Sequence, residues 1–129
     1  MTGIPPARFV LHDHFARHHH FDFRLERDGV LKSWAVPKGL PGAPGERRLA
    51  IAVEDHPLPY GDFEGTIPEG EYGAGEVRIA DSGTYEPLEW GDERIEIVLH
   101  GRVFSGEYVL LRFKKAGEKN WIVLKGKEG

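Results

Sequence analysis

The stretch HFDFRLERDGVLKSWAV, residues 20–36, reads as two strands joined by a tight turn. From His20 to Glu26 polar and apolar side chains alternate, the period of a strand with one buried face. His20, Asp22, Arg24 and Glu26 point one way, and Phe21, Phe23 and Leu25 the other. Asp28-Gly29 is a strong hairpin turn, so Val30 to Val36 is the returning strand, and Pro37 ends it.

The same pattern continues along the chain. A Gly/Pro-rich loop, GLPGAPG, leads to Arg48 to Glu54, where Leu49, Ile51 and Val53 share one face and Ala50, Ala52 and Glu54 the other. Pro57 to Gly75 is rich in glycine, proline and acids and reads as a long ordered loop with one helical turn. Glu76 to Ala80 is a strand, and Asp81-Ser82-Gly83 turns the chain. Arg94 to Phe104, Glu107 to Phe113 and Trp121 to Lys125 complete the set, joined by Ser105-Gly106 and by Lys114 to Asn120. No stretch carries a helical apolar period over three turns. The expectation is all-β: a small closed β-barrel of about eight short, mostly antiparallel strands with little helix, since closure removes the exposed edges a sandwich would keep. At 129 residues the chain reads as one domain, 1–129, with its informative motifs in 9–85.

Composition narrows the chemistry. Without cysteine, neither disulfides nor thiolate metal sites are available, and a metal must use imidazole, carboxylate, carbonyl or water. No apolar run reaches membrane-span length, and MTGIPPARFV lacks the apolar core of a signal peptide, so a cytoplasmic protein is expected. The net charge of -4 argues against a nucleic-acid partner, but its distribution is uneven. Residues 1–48 carry +3, residues 49–106 carry -10 and residues 107–129 carry +3. Basic ends that converge would form a local anion-binding face; otherwise these are solvated surface charges.

The chemistry concentrates around His20. Neighbours on its polar face are roughly 7 Å apart, so a metal on His20 and Asp22 would lie within reach of a substrate held by Arg24. His14 is expected on a turn that folds back to supply a third ligand. Two imidazoles and a carboxylate suit Mn²⁺, Zn²⁺ or Fe²⁺ and leave positions open for substrate and water. The plain alternative is a surface histidine run, for which His18 and His19 are candidates. Arg24, Lys38 and Arg48 are candidate phosphate-binding cations, although each taken alone is an ordinary surface charge. His56, at another strand end, suits donation to a phosphate or leaving oxygen, with Tyr60 hydrogen-bonding beside it; a packing role is the alternative.

The runs HFARHHHFDFRLERDGVLKSWAVPKG (14–39) and RRLAIAVEDHPLPYGDFEGTIPEGEYGAGEV (47–77) closely resemble the 3′-phosphoesterase domain of bacterial ligase D and its free-standing relatives. The resemblance implies a small β-barrel with a Mn²⁺-dependent site that removes a 3′-terminal phosphate and, in some members, a 3′-terminal ribonucleoside first. It implies that His14, His20 and Asp22 hold the metal and that Arg24, His56 and Tyr60 handle the phosphate, with Lys38 and Arg48 close by. It further implies as partners the 3′ ends of DNA primer-templates or RNA-containing strands, and separate ligase and polymerase proteins of end joining. Two places depart from the family pattern. His12-Asp13 stand where Gln-Lys is common, which would perturb the metal surroundings, and His19-His20-Phe21-Asp22 replace Leu-His-Tyr-Asp. The residues by themselves leave two other readings: a cupin-like non-haem metal enzyme, and a nucleic-acid-binding barrel without catalysis.

Overall fold

The computed structural model describes residues 6–126, so residues 1–5 of the stretch read for a signal peptide, and the last three of the chain, lie outside it. Among the described residues the strands are β1 Ala7–Phe15, β2 His20–Arg27, β3 Val30–Val36, β4 Arg47–Pro57, β5 Gly65–Ile67, β6 Gly75–Trp90, β7 Arg94–Gly101, β8 Ser105–Arg112 and β9 Asn120–Lys125. Among the same residues helix is confined to the 3-10 segments Leu58–Asp62 and Lys114–Ala116. Eight strands follow the order β1-β2-β3-β4-β9-β8-β7-β6, and β6 pairs back onto β1 to close an antiparallel barrel. β5 is added outside the ring, on β6. No helix among the described residues is long and apolar enough to cross a membrane.

The hairpin read from Asp28-Gly29 is present, with φ of 54° and 82°, both in the region such a turn requires. Phe23 and Leu25 enter the barrel core with Phe9 and Leu11 of β1. Trp34 lies edge-on to Trp121 at 5.9 Å between ring centroids, and Trp90 packs at 6.4 Å. These rings explain why β4 turns its small residues inward. Ala52 is opposite Trp34 and Ala50 opposite Trp121 in register, while Leu49 is left 43% exposed.

Four sequence expectations are corrected. His14 is not on a turn but within β1, paired with His20, because β1 is hydrogen-bonded on both sides, by β2 and β6. Asp81-Ser82-Gly83 does not reverse the chain; β6 runs through it, with a register shift against β1. Asp81 is buried and accepts backbone N–H groups from Ser82, Arg102, Val103 and Phe104, so it caps the β7–β8 turn. Gly83 serves close approach: a Cβ there would sit 2.1 Å from the His100 carbonyl oxygen. The real reversal is at Gly101 to Phe104, so β7 ends at Gly101 and Ser105-Gly106 open β8. Lastly, the 57–75 segment contains β5 in addition to its helical turn.

Candidate metal and phosphate site

Because Leu11 and Phe23 fill the barrel, their strand neighbours His12, His14, Asp22 and Arg24 face the opposite side. That side is covered by the 57–75 segment. Its backbone carbonyls accept hydrogen bonds from the strands: Gly61 from Arg8 Nη2 at 3.2 Å, Phe63 from His12 Nε2 at 3.1 Å and Gly73 from His14 Nε2 at 2.8 Å. A polar cluster is thereby buried, with Asp22 6% and Arg24 3% exposed.

Two of these carbonyl contacts orient a histidine. With its Nε2–H given to Gly73, His14 turns Nδ1 toward Asp22 Oδ2, 3.2 Å away. His20 gives Nδ1–H to the His18 carbonyl at 2.8 Å and turns Nε2 toward Asp22 Oδ1, at 3.3 Å. One ligand atom from each of the three residues falls within a 4.8 Å cluster. Imidazoles fixed by backbone acceptors, converging on a carboxylate, are a donor set that fits a divalent transition metal. The hydrogen bond to Asp22 raises the His20 pKa above its ordinary value. Burial pushes the Asp22 carboxyl up, but the His20 hydrogen bond and the Arg24 charge outweigh it and hold the group below the usual range.

Arg24 occupies the centre of a second group. Nε donates to His12 Nδ1 at 3.0 Å, Nη1 donates to Ser33 Oγ at 2.8 Å, and Nη2 lies 3.4 Å from Asp22 Oδ2. The guanidinium carbon is 4.9 Å from the centre of the Tyr60 ring, which stacks on Phe63 and tilts against His56 at 4.6 Å. His56 Nδ1 is 3.1 Å from both Arg24 Nη1 and the Glu54 carbonyl. It donates to Glu54 when protonated and accepts from Arg24 when not; it cannot do both. Burial, then the Arg24 charge, lower the His56 pKa, which favours the neutral ring. The same two causes, in the same order, lower His12 to about 4.

The structure gathers His14, His20, Asp22, Arg24, His56 and Tyr60 around one cavity of about 450 Å³. Lys38 and Arg48 do not line it. Arg48 Nη1 instead donates to the Lys38 carbonyl at 2.5 Å, and its Nη2 sits 3.8 Å from Glu46 Oε1. Among the described residues none of the basic C-terminal segment lines it either, and the arginines that do are Arg24 and Arg17. Asp13 faces away and pairs with His19, whereas His12 faces Arg24. Sequence reasoning missed Ser33, Tyr72 and the Gly73 carbonyl. A signal existed for Ser33, which is directly opposite Arg24 in the β2–β3 register. None marked the carbonyl, because a backbone acceptor carries no sequence signature.

Residues 12–112 match the family described as the DNA Ligase D 3'-phosphoesterase domain. The chain is similar to the multifunctional non-homologous end joining protein LigD of Mycobacterium bovis, 56% identical over 108 residues that make up 81% of this chain and 14% of that protein. It is 47% identical to the Pseudomonas aeruginosa protein of the same name over 134 residues, 99% of this chain and 16% of the relative. The Mycolicibacterium smegmatis relative is 46% identical over 132 residues, 94% of this chain and 17% of its own. The chain therefore spans less than a fifth of the length of these relatives and corresponds to one part of each. With the matched segment running from β1 through β8, this chain belongs to the DNA ligase D 3'-phosphoesterase domain family.

Proposed function

We propose that this domain is a metal-dependent phosphoesterase that removes a 3′-phosphate from nucleic-acid strand ends and leaves a 3′-OH, as a step in DNA repair. The observation that carries the reading is the meeting, in one cavity, of the His14–His20–Asp22 cluster and the group of buried Arg24 with half-buried His56 and Tyr60. His14, His20 and Asp22 would hold the ion, Mn²⁺ first and Zn²⁺ second. Once bound, it supplies Lewis-acid polarisation of a phosphoryl oxygen.

The chain's own residues do the rest. With Nε and Nη1 engaged by His12 and Ser33, Arg24 offers a phosphate oxygen the Nη2–H that does not face Asp22. When Nδ1 of neutral His56 accepts from Arg24, Nε2 carries the proton and becomes a second donor. Burial raises the Tyr60 pKa, which keeps its hydroxyl protonated and able to donate. Donors fixed before the reaction stabilise charge on the transferring group without reorganisation. Removal of a 3′-terminal ribonucleoside before the phosphate is the wider form of this activity, and the ligase and polymerase functions of end joining would act on the 3′-OH product.

The deciding experiment incubates an end-labelled strand bearing a 3′-phosphate with the protein, in Mn²⁺ and in chelator. Conversion to 3′-OH in Mn²⁺ alone is expected. No conversion with either Mn²⁺ or Zn²⁺, together with strand binding that survives chelation, would favour a non-catalytic binder instead.

A further inference from the structure

We infer that His12 is a positioning residue that sets the orientation of Arg24 and references it to the loop bearing Tyr60. The inference rests on the reading above in one respect, that Arg24 is the group meeting phosphate. His12 is wholly buried in β1, directly opposite Asp22 in register, and both of its ring nitrogens are committed. Nε2 meets the Phe63 carbonyl at 3.1 Å, and Nδ1 meets Arg24 Nε at 3.0 Å. A carbonyl can only accept and an arginine Nε–H can only donate, so the ring must carry its proton on Nε2 and a lone pair on Nδ1. The contacts thus select one neutral tautomer. They also exclude His12 as a fourth metal ligand, since neither nitrogen has a lone pair free to face Asp22.

The consequence for Arg24 is geometric. The guanidinium is planar, so fixing Nε–H on His12 and Nη1 on Ser33 Oγ fixes the direction of Nη2. Ser33 is itself held, its hydroxyl donating to the Leu31 carbonyl at 3.1 Å. On its other side the His12 ring lies edge-on to Tyr60, 5.4 Å between centroids, and Phe63, whose carbonyl it binds, stacks on Tyr60 at 5.2 Å. One imidazole therefore spaces two groups of the proposed phosphate site. A side chain without an acceptor at this position would leave the Arg24 Nε–H buried and unpaired, and the direction of the fork no longer fixed.

The first test is spectroscopic and independent of activity. In ¹⁵N-labelled protein without metal or substrate, an N–H···N hydrogen bond transmits a scalar coupling from Arg24 Nε to His12 Nδ1. That coupling is expected, with the Arg24 Nε–H protected from exchange. Its absence, with His12 protonated on Nδ1, would overturn the pairing. The second test compares His12→Gln, whose amide oxygen can accept from Nε–H, with His12→Phe, which fills the space without accepting. On a 3′-phosphorylated strand, His12→Phe should lose about 100-fold in kcat, the usual effect of a small misplacement of a reacting-site group, while keeping Mn²⁺ affinity. His12→Gln should recover most of that loss. Wild-type turnover in His12→Phe, or equal losses in both variants accompanied by weakened Mn²⁺ binding, would overturn the positioning role. A wild-type protein inactive on such strands but showing the coupling would sink the phosphoesterase reading and leave the pairing standing.

Discussion

Oδ2 of Asp22 lies 3.4 Å from Nη2 of Arg24 and is also the oxygen facing His14. The carboxylate proposed to bind a cation thus borders the cation proposed to bind phosphate, and neither half of the site is electrostatically independent. His14→Ala, His20→Ala and Asp22→Ala should each weaken Mn²⁺ binding by at least about 100-fold in calorimetry while the barrel stays folded. Asp22→Ala should also cost roughly 1–3 kcal/mol of stability, because Arg24 stays buried with one fewer partner. In the wild type, Mn²⁺ at 100 times its Kd should add about 2.7 kcal/mol, reversed by chelator. Unchanged Mn²⁺ affinity in all three variants would rule out this ligand set.

Arg24→Lys keeps the charge but should lose roughly 100- to 1000-fold in kcat. The reason lies in the number of partners: a lysine ammonium cannot meet His12, Ser33 and a phosphate oxygen in one plane. Steady-state kinetics on a 3′-phosphorylated strand measure this, and wild-type turnover would remove Arg24 from the proposed role.

Asp81 carries a fold prediction. Its two oxygens accept four backbone N–H groups, three of them from the β7–β8 turn. Asp81→Ala would leave these donors unpaired beside a buried position, with an expected loss of roughly 3 kcal/mol read as a lower urea midpoint. A change within about 0.5 kcal/mol would show that the turn finds other acceptors.

The barrel was legible because alternation and hairpin chemistry act locally. His20 to Val36 announces β2 and β3 through its own side chains and an Asp-Gly turn, and the structure returns both. Asp81-Ser82-Gly83 misled because the same residue types serve two purposes. The aspartate caps a distant turn, and the glycine admits a neighbouring carbonyl, and both partners lie about 20 residues away. His14 reads as a turn residue rather than part of a strand because β1 is defined by pairings with β2 and β6 rather than by a clean alternation of its own. The tilt of the site toward Arg24 and away from Lys38 and Arg48 was not readable either. It depends on which carbonyls the 57–75 segment brings over β1 and β2, and composition does not encode that path.

His56 provides the sharpest test of how protons are arranged in the site. Burial and the Arg24 charge lower its pKa, so in the free protein its imidazole should titrate below the ordinary 6.5, measurable from its ring resonances. Because the folded value is depressed, the unfolded chain binds more protons between the two values. The His56 contribution to stability is therefore present above about pH 6.5 and lost as pH falls through the folded value. For catalysis the sign is equally definite. If the imidazolium were the required donor, kcat/KM would fall as pH rises through that lowered ionisation. With Nδ1 accepting from Arg24 Nη1, the neutral ring donates from Nε2 instead, and no alkaline limb belongs to His56. His56→Ala should then keep Mn²⁺ affinity, lose about 100-fold or more in turnover, and leave the alkaline side of the profile unchanged. An alkaline limb present in the wild type and missing in His56→Ala would reverse the assignment and make the cation the donor.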